Sequence, residues 1–85
     1  MDPYRVIYHP WVTEKSQRQM EEENKLEFIV RKEATKHEIK VDFEKLYDVK
    51  VAKVNNMLCK DGKHAIIKLT EGYSAEDIGM RIGVF

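Results

Sequence analysis

The chain has 85 residues, of which 42% are hydrophobic and 35% are charged, and its formal net charge is zero. A chain of this length closes one small hydrophobic core, and the composition is typical of a folded protein rather than a disordered or membrane-spanning one. The sequence has no apolar run of transmembrane length and no N-terminal signal pattern, and its single cysteine, Cys59, excludes an internal disulfide. These features predict one intracellular domain over residues 1–85.

The zero net charge conceals a segregation of charge along the chain. Between residues 50 and 69 five lysines stand against one acidic residue, whereas between residues 14 and 27 five acidic residues stand against three basic ones. Binding to nucleic acid usually requires a basic surface, and a neutral protein does not offer one by composition alone. Charge therefore leaves two interpretations open, a basic binding surface in the second half of the chain and ordinary solvated faces.

The N-terminal part predicts a strand followed by a helix. Residues from Tyr4 to Tyr8 alternate loosely between apolar and polar types, and prolines flank them, which indicates a short edge strand that stops at His9–Pro10. The helix begins either with Pro10 at its first position or after a Thr13 cap, and it ends near Glu23–Asn24. A second strand from Lys25 to Arg31 follows, with its even-numbered apolar residues on one face.

The central helix has the most sharply marked start in the chain. Thr35 and Glu38 have the spacing of a capping box, in which each side chain accepts a hydrogen bond from the other residue's backbone N–H. One apolar stripe then runs along the helix, formed by Ile39, Phe43, Leu46 and Tyr47. Lys36 and Lys40 lie one turn apart on a different, solvated face, where a negatively charged partner would relieve their mutual repulsion.

The C-terminal half predicts a hairpin and a last helix. A long strand begins at Val49, and a shift in its apolar phase indicates either a bulge or partial burial on both faces. Asp61–Gly62 then forms the turn to a strand from His64 to Leu69. Ser74 caps a short helix that closes at Gly83. The predicted fold class is α+β, a two-to-three-layer sandwich of a small, mostly antiparallel sheet with helices in the order β-α-β-α-β-β-α.

The sequence shows no constellation typical of an enzyme or a cofactor site. His9, His37 and His64 do not combine with Cys59 into a common metal-ligand spacing, and the four glycines are isolated, so no metal, phosphate loop or cofactor is predicted. Cys59 would need His64 as its base, but nothing marks an oxyanion hole. The lysines and Asn55 remain as candidates for polar recognition of phosphates and ribose, although the Asn55–Asn56 pair is equally well explained as a turn.

Five short motifs occur in order along the chain. They are Thr13-Glu14-Lys15-Ser16 after His9-Pro10, Asn24-Lys25 with Phe28-Ile29-Val30, Ala34-Thr35-Lys36 with Glu38-Ile39-Lys40, Val49-Lys50-Val51 with Lys53-Val54-Asn55, and Ala65 with Lys68-Leu69. Together they resemble the ribosomal protein L23 family of the large subunit, in its short archaeal form. The resemblance covers nearly the whole chain, and the five ordered motifs make it specific.

The resemblance implies a single ribosomal RNA-binding domain, a cytoplasmic structural protein of the ribosome and not an enzyme. It implies binding to large-subunit (23S) ribosomal RNA at the rim of the polypeptide exit tunnel, beside the small helical protein L29. It also implies a docking surface for the signal recognition particle and the translocon, with no small-molecule substrate and no membrane insertion. On this basis Glu14 is the docking residue, and the RNA-binding residues are Lys15, Lys36, Lys40, Lys53, Asn55 and Lys68.

The chain departs from the family pattern at three places. Asn56 stands where a threonine is usual, and His64 and Ile66 interrupt the lysines and the aromatic residue of the last strand. The hairpin is too short for the basic loop that enters the tunnel in bacterial members, so a tunnel-lining role is not implied. Two alternatives remain: a protein-interaction module without RNA, favoured by the zero net charge, and a small hydrolase resembling an acylphosphatase, for which no arginine is suitably placed.

Overall fold

The computed structural model describes residues 6–83, and its helices and strands follow the predicted order. The elements are β1 (Ile7–Pro10), α1 (Glu14–Glu23), β2 (Lys25–Val30), α2 (Lys36–Tyr47), β3 (Val51–Cys59), β4 (Gly62–Leu69) and α3 (Ala75–Ile82). The strands form one sheet in the order β1-β2-β4-β3, and each neighbouring pair is antiparallel. The predicted α+β class is therefore confirmed.

One hydrophobic core lies between the sheet and the helices. Alternate residues of the central strands β2 and β4 point into it, and these are Leu26, Phe28, Val30, Ala65, Ile67 and Leu69. The same cluster contains Met20 from α1, Phe43 from α2 and Ile78 from α3. Since successive strand residues point to opposite faces, all three helices cover one face of the sheet. We call the opposite face the open face.

The helix ends are built from local hydrogen bonds. The Thr35 hydroxyl accepts a hydrogen bond from the backbone N–H of Glu38 at 3.1 Å, and the Glu38 carboxylate accepts one from the Thr35 N–H at 3.0 Å. This confirms the predicted capping box. Thr13 caps α1, which decides between the two predicted starts, and Ser74 caps α3. Gly83 ends α3 with a positive φ of 81°, a conformation that glycine adopts without strain.

The predicted bounds of the first strand were wrong. The first strand covers Ile7–Pro10 rather than ending before His9, and the predicted residues Tyr4 and Arg5 lie outside the described part of the chain. Proline is tolerated because β1 is an edge strand, and pairing with β2 continues beyond it, where the Trp11 N–H donates to the Glu27 carbonyl at 2.9 Å.

Leu46 does not join the buried stripe of α2, because 49% of it is exposed. The rings of Phe28, Phe43 and Tyr47 pack together between α2 and the sheet, with centroids 4.8–6.2 Å apart. These rings fill the space under the helix, so that Leu46 lies at its margin.

The predicted antiparallel hairpin of β3 and β4 is present, but β4 begins at Gly62 rather than His64, so Gly62 belongs to the strand and not to the turn. A register shift between Val51 and Lys53 favours the bulge over the alternative explanation of the phase shift, although the strand begins at Val51 rather than Val49. Cys59 pairs with Gly62 across a turn formed by Lys60 and Asp61. Among residues 6–83, the helices are too short or too polar to span a bilayer.

Candidate RNA-binding surface

Strand pairing places three lysines side by side on the open face. Lys68 of β4 is the Cα partner of Lys53 in β3 and of Lys25 in β2. Neighbouring strands are about 4.8 Å apart, so the three backbone positions span roughly 10 Å across the sheet. We call Lys25, Lys68 and Lys53 the lysine row. Lys53 and Lys68 are exposed, whereas Lys25 is partly buried and its Nζ lies 3.1 Å from a carboxylate oxygen of Glu23.

Sequence analysis missed Lys25 as a member of this surface. Along the chain it belongs to the acidic segment, and only its pairing with Lys68 shows that it faces the basic half of the sheet. The alternation of β2 places Lys25 on the face opposite Leu26, and this pattern could have shown that Lys25 lies on the open face. The sequence did not show that β4 is the strand beside it.

The next row on the open face contains Asn55. This residue is partly buried and pairs with Ile66, which in turn pairs with Glu27 of β2. Asn55 lies two residues beyond Lys53 on the same strand and therefore on the same face. The predicted residues Lys53, Asn55 and Lys68 are thus brought together by the sheet.

The third row is centred on a buried histidine, His64, which is only 3% exposed. Its Nδ1 lies 2.8 Å from a carboxylate oxygen of Glu27 and its Nε2 lies 3.0 Å from one of Asp61. Trp11 packs edge-on against the imidazole, with ring centroids 5.0 Å apart. Met57 is the strand partner of His64 on β3 and is exposed.

The ionisation of this group determines its electrostatic effect. Burial by itself lowers the pKa of His64, but the hydrogen bonds and negative charges of Asp61 and Glu27 outweigh it and raise the pKa. The hydrogen bond to His64 in turn lowers the pKa of Asp61. With the imidazole neutral or protonated, the two carboxylates beside it give the group a net negative charge. The attraction for phosphate on the open face therefore comes from the lysine row.

The other predicted RNA-binding lysines lie on the helix side of the sheet. Lys36 and Lys40 are both exposed and one turn apart on α2, as the sequence predicted, and Lys15 is exposed in the first turn of α1. Because α1 and α2 cover the core face, these three residues do not join the lysine row. The structure divides the predicted contacts between two sides of the molecule.

Glu14, the predicted docking residue, is the first residue of α1. Its side chain is 93% exposed, and a carboxylate oxygen lies 3.8 Å from Nη2 of Arg18 one turn later. An exposed pair at this spacing holds the side chain weakly, so the carboxylate is accessible to a partner.

Lys63 differs from the other lysines of the basic segment. Its Nζ donates to the backbone carbonyls of Ala34 at 2.6 Å and Lys32 at 3.3 Å. The ammonium group therefore supports the connector between β2 and α2, and its charge is directed at the protein.

Comparisons with known proteins place the whole arrangement in one family. Residues 5–76 match the family model described as ribosomal protein L23. The large ribosomal subunit protein uL23 of Picrophilus torridus is 51% identical over 79 residues, which cover 93% of this chain and 96% of that protein. The proteins of the same name from Methanothermobacter thermautotrophicus and Methanosphaera stadtmanae are 46% and 49% identical over 86 residues, with both chains fully covered.

The match extends through every strand and into the last helix, and the relatives align along nearly their whole length. The resemblance seen in the five sequence motifs is confirmed. The chain belongs to the ribosomal protein L23 family, a family of structural proteins of the large ribosomal subunit and not of enzymes.

Proposed function

We propose that this protein is a structural constituent of the large ribosomal subunit that binds 23S ribosomal RNA through the open face of its sheet. The observation that carries the proposal is the lysine row of Lys25, Lys68 and Lys53. The proposal takes residues 1–85 as a single RNA-binding domain in the cytoplasm, positioned at the rim of the polypeptide exit tunnel.

Electrostatics supports an anionic ligand on this face. Like charges on directly opposed strand positions destabilise a sheet, and Lys68 has a lysine on either side. A phosphate chain crossing the row would turn this repulsion into attraction and release counterions. Asn55, beside the row and only partly buried, offers an amide that can donate to or accept from a ribose hydroxyl or a base edge.

The helix side would hold a second contact. Lys36 and Lys40 are spaced to face one RNA segment, and Lys15 lies near the exposed start of α1. Binding on both sides would place the domain between separate segments of the RNA, a role suited to a structural protein of a large ribonucleoprotein.

Salt dependence of binding tests the RNA contact. We expect Lys53→Ala and Lys68→Ala each to reduce the slope of log K against log salt for 23S ribosomal RNA by about 0.7–0.9. Lys45→Ala is the matched control, since Lys45 is an exposed lysine on the opposite side of α2 from Lys36. Slopes that are unchanged in both test variants would remove the lysine row from the interface.

Discrimination between RNAs separates this function from the interaction-module alternative. The wild-type protein should bind 23S ribosomal RNA more tightly than an unrelated RNA of equal length. Equal or absent binding to the two RNAs would contradict the proposal and favour a module that contacts only proteins.

The exposed acidic start of α1 is proposed as the docking contact for the signal recognition particle, with L29 and the translocon as further partners of the domain. Glu14→Gln should weaken binding of the particle to reconstituted ribosomes roughly two- to fivefold, as expected for one exposed charge pair. Glu71→Gln, an exposed acidic residue in the turn before α3, is the control. Equal affinities of the Glu14 variant and wild type would exclude this contact.

A further inference from the structure

The tip of the β3–β4 hairpin gathers three side chains that can ligate a metal. Cys59 ends β3, Asp61 lies in the turn and His64 follows in β4. The cysteine Sγ, a carboxylate oxygen and an imidazole nitrogen all lie within 4.8 Å of one another. The spacing Cys-x-Asp-x-x-His matches none of the metal motifs considered in the sequence, because a hairpin turn rather than a helix brings the residues together.

The three donor types suit zinc. Thiolate, imidazole and carboxylate are the ligands that Zn²⁺ takes in proteins, at about 2.0–2.3 Å. In a tetrahedral site the donor atoms are then roughly 3.3–3.7 Å apart. Cys59 at the end of β3 and Asp61 in the turn are both exposed, so the adjustment of at most about 1 Å that a metal requires falls on side chains with room to move.

The histidine is already held in a ligating orientation. His64 is buried, Trp11 packs against its ring, and Nδ1 is hydrogen-bonded to Glu27 at 2.8 Å. Nε2 points toward Asp61, 3.0 Å away. A carboxylate behind one ring nitrogen, with the other nitrogen directed at further ligands, is the usual arrangement around metal-bound histidine. The contact with Glu27 is a separate observation, because it is not one of the distances among the donor atoms of Cys59, Asp61 and His64.

We propose that Cys59, Asp61 and His64 bind one Zn²⁺ ion, with water as the fourth ligand and Glu27 as the residue that positions the imidazole. The ion takes the place of the proton between His64 and Asp61. It links the end of β3 to the start of β4 through the hairpin turn. The proposal is separate from the RNA contact, because the lysine row lies two rows further along the sheet.

Cobalt substitution provides a direct test on the full-length, metal-free protein. Because Cys59 is the only cysteine in the chain, a thiolate-to-cobalt charge-transfer band can arise only from that residue. We expect Co²⁺ to bind with one-to-one stoichiometry and to produce this band, and Zn²⁺ to abolish it by displacing the cobalt. Zn²⁺ should also raise the melting temperature, since it binds the folded hairpin.

Variants assign the ligands. Cys59→Ser should remove the charge-transfer band, and both Cys59→Ser and Asp61→Asn should weaken Zn²⁺ binding in a chelator competition by at least about tenfold, since loss of an outer-shell partner alone costs that much. Lys60→Ala, in the same turn but without a ligating group, should bind like wild type. Cys59 and Asp61 are exposed, so their replacement leaves the core intact.

Three results would overturn the proposal. They are cobalt binding without a thiolate band, equal loss of affinity in Lys60→Ala and Cys59→Ser, and a Zn²⁺-induced rise in melting temperature that persists in Cys59→Ser. Each would place the metal elsewhere or show a nonspecific interaction.

Discussion

Asn24 is a small residue on which the packing of α1 against α3 depends. It ends α1 in the left-handed conformation, with φ of 56°. Its Nδ2 donates to the Tyr73 carbonyl at 2.8 Å, and its Oδ1 accepts from the backbone N–H of Ala75, the first residue of α3, at 2.7 Å. We predict that Asn24→Ala destabilises the protein by breaking this link between distant segments.

The expected loss in free energy of unfolding has two contributions. Two side-chain hydrogen bonds contribute roughly 1 kcal/mol each, and the buried position of Ala75 makes an unpaired N–H there costly. Alanine lacks the short polar side chain that lets asparagine adopt the left-handed region, so its backbone costs about 1 kcal/mol more there. We therefore expect a loss of about 3 kcal/mol for Asn24→Ala. Asn24→Gly removes the same bonds without backbone strain, so its loss should be about 2 kcal/mol.

Equilibrium urea unfolding, followed by circular dichroism in the presence of a chelator, measures both variants on one scale. The difference in free energy of unfolding between the alanine and glycine variants measures the backbone contribution. The difference between wild type and the glycine variant measures the contribution of the hydrogen bonds. Losses below about 0.5 kcal/mol in both variants, on the scale of an ordinary surface substitution, would refute the argument. A glycine variant less stable than the alanine variant would refute the backbone part of it.

Three further predictions concern the core, the central helix and the connector before it. Phe43→Ala removes a ring in T-shaped contact with Phe28, 5.3 Å between centroids, and should cost about 3–5 kcal/mol in urea unfolding; a loss under about 1 kcal/mol would contradict this packing. The hydrogen bond from the backbone N–H of Thr35 holds the pKa of Glu38 below its usual value, so the stabilisation is present above the unfolded pKa and is lost as pH falls through the folded pKa. Glu38→Gln should therefore be less stable than wild type at neutral pH and equal to it in acid, and a difference that persists in acid would exclude this cause. Lys63→Met should lower the melting temperature, since its ammonium group donates to two backbone carbonyls, but should leave the salt slope of RNA binding unchanged; a reduced slope would show that Lys63 contacts phosphate.

Local features of the fold were predictable because they depend on residues three or four positions apart. The capping box of Thr35 and Glu38 and the cap at Ser74 satisfy helix-end N–H groups within a single turn, whatever the rest of the chain does. The alternation of apolar and polar residues in β2 and the shift of the apolar pattern at the bulge in β3 are likewise visible in neighbouring residues. The exposed pair Lys36 and Lys40 was predictable for the same reason, since residues four positions apart lie one turn apart on a helix.

The candidate surfaces were only partly predictable. Lys53, Asn55 and Lys68 were named from the family resemblance, and the sheet does bring them together. The sequence did not show that Lys36 and Lys40 lie on the other side of the molecule, since that depends on which face of the sheet α2 covers. Leu46 was misplaced for a related reason, because the aromatic rings that fill the core are contributed by two different elements.

Short-range hydrogen bonding and apolar periodicity thus determine the helices and strands of this protein and their order along the chain. The lysine row and the contact of Glu27 with His64 depended on the tertiary structure, whereas Cys59, Asp61 and His64 are brought together by the local hairpin turn. Lys25 meets Lys68 only because β4 inserts between β2 and β3 in the sheet order, and Glu27 meets His64 for the same reason. With β4 between β2 and β3, the apolar faces of strands that are distant in sequence lie under the same helices. This arrangement is favourable because it removes apolar surface from water, and that gain depends on the whole chain rather than on neighbouring residues.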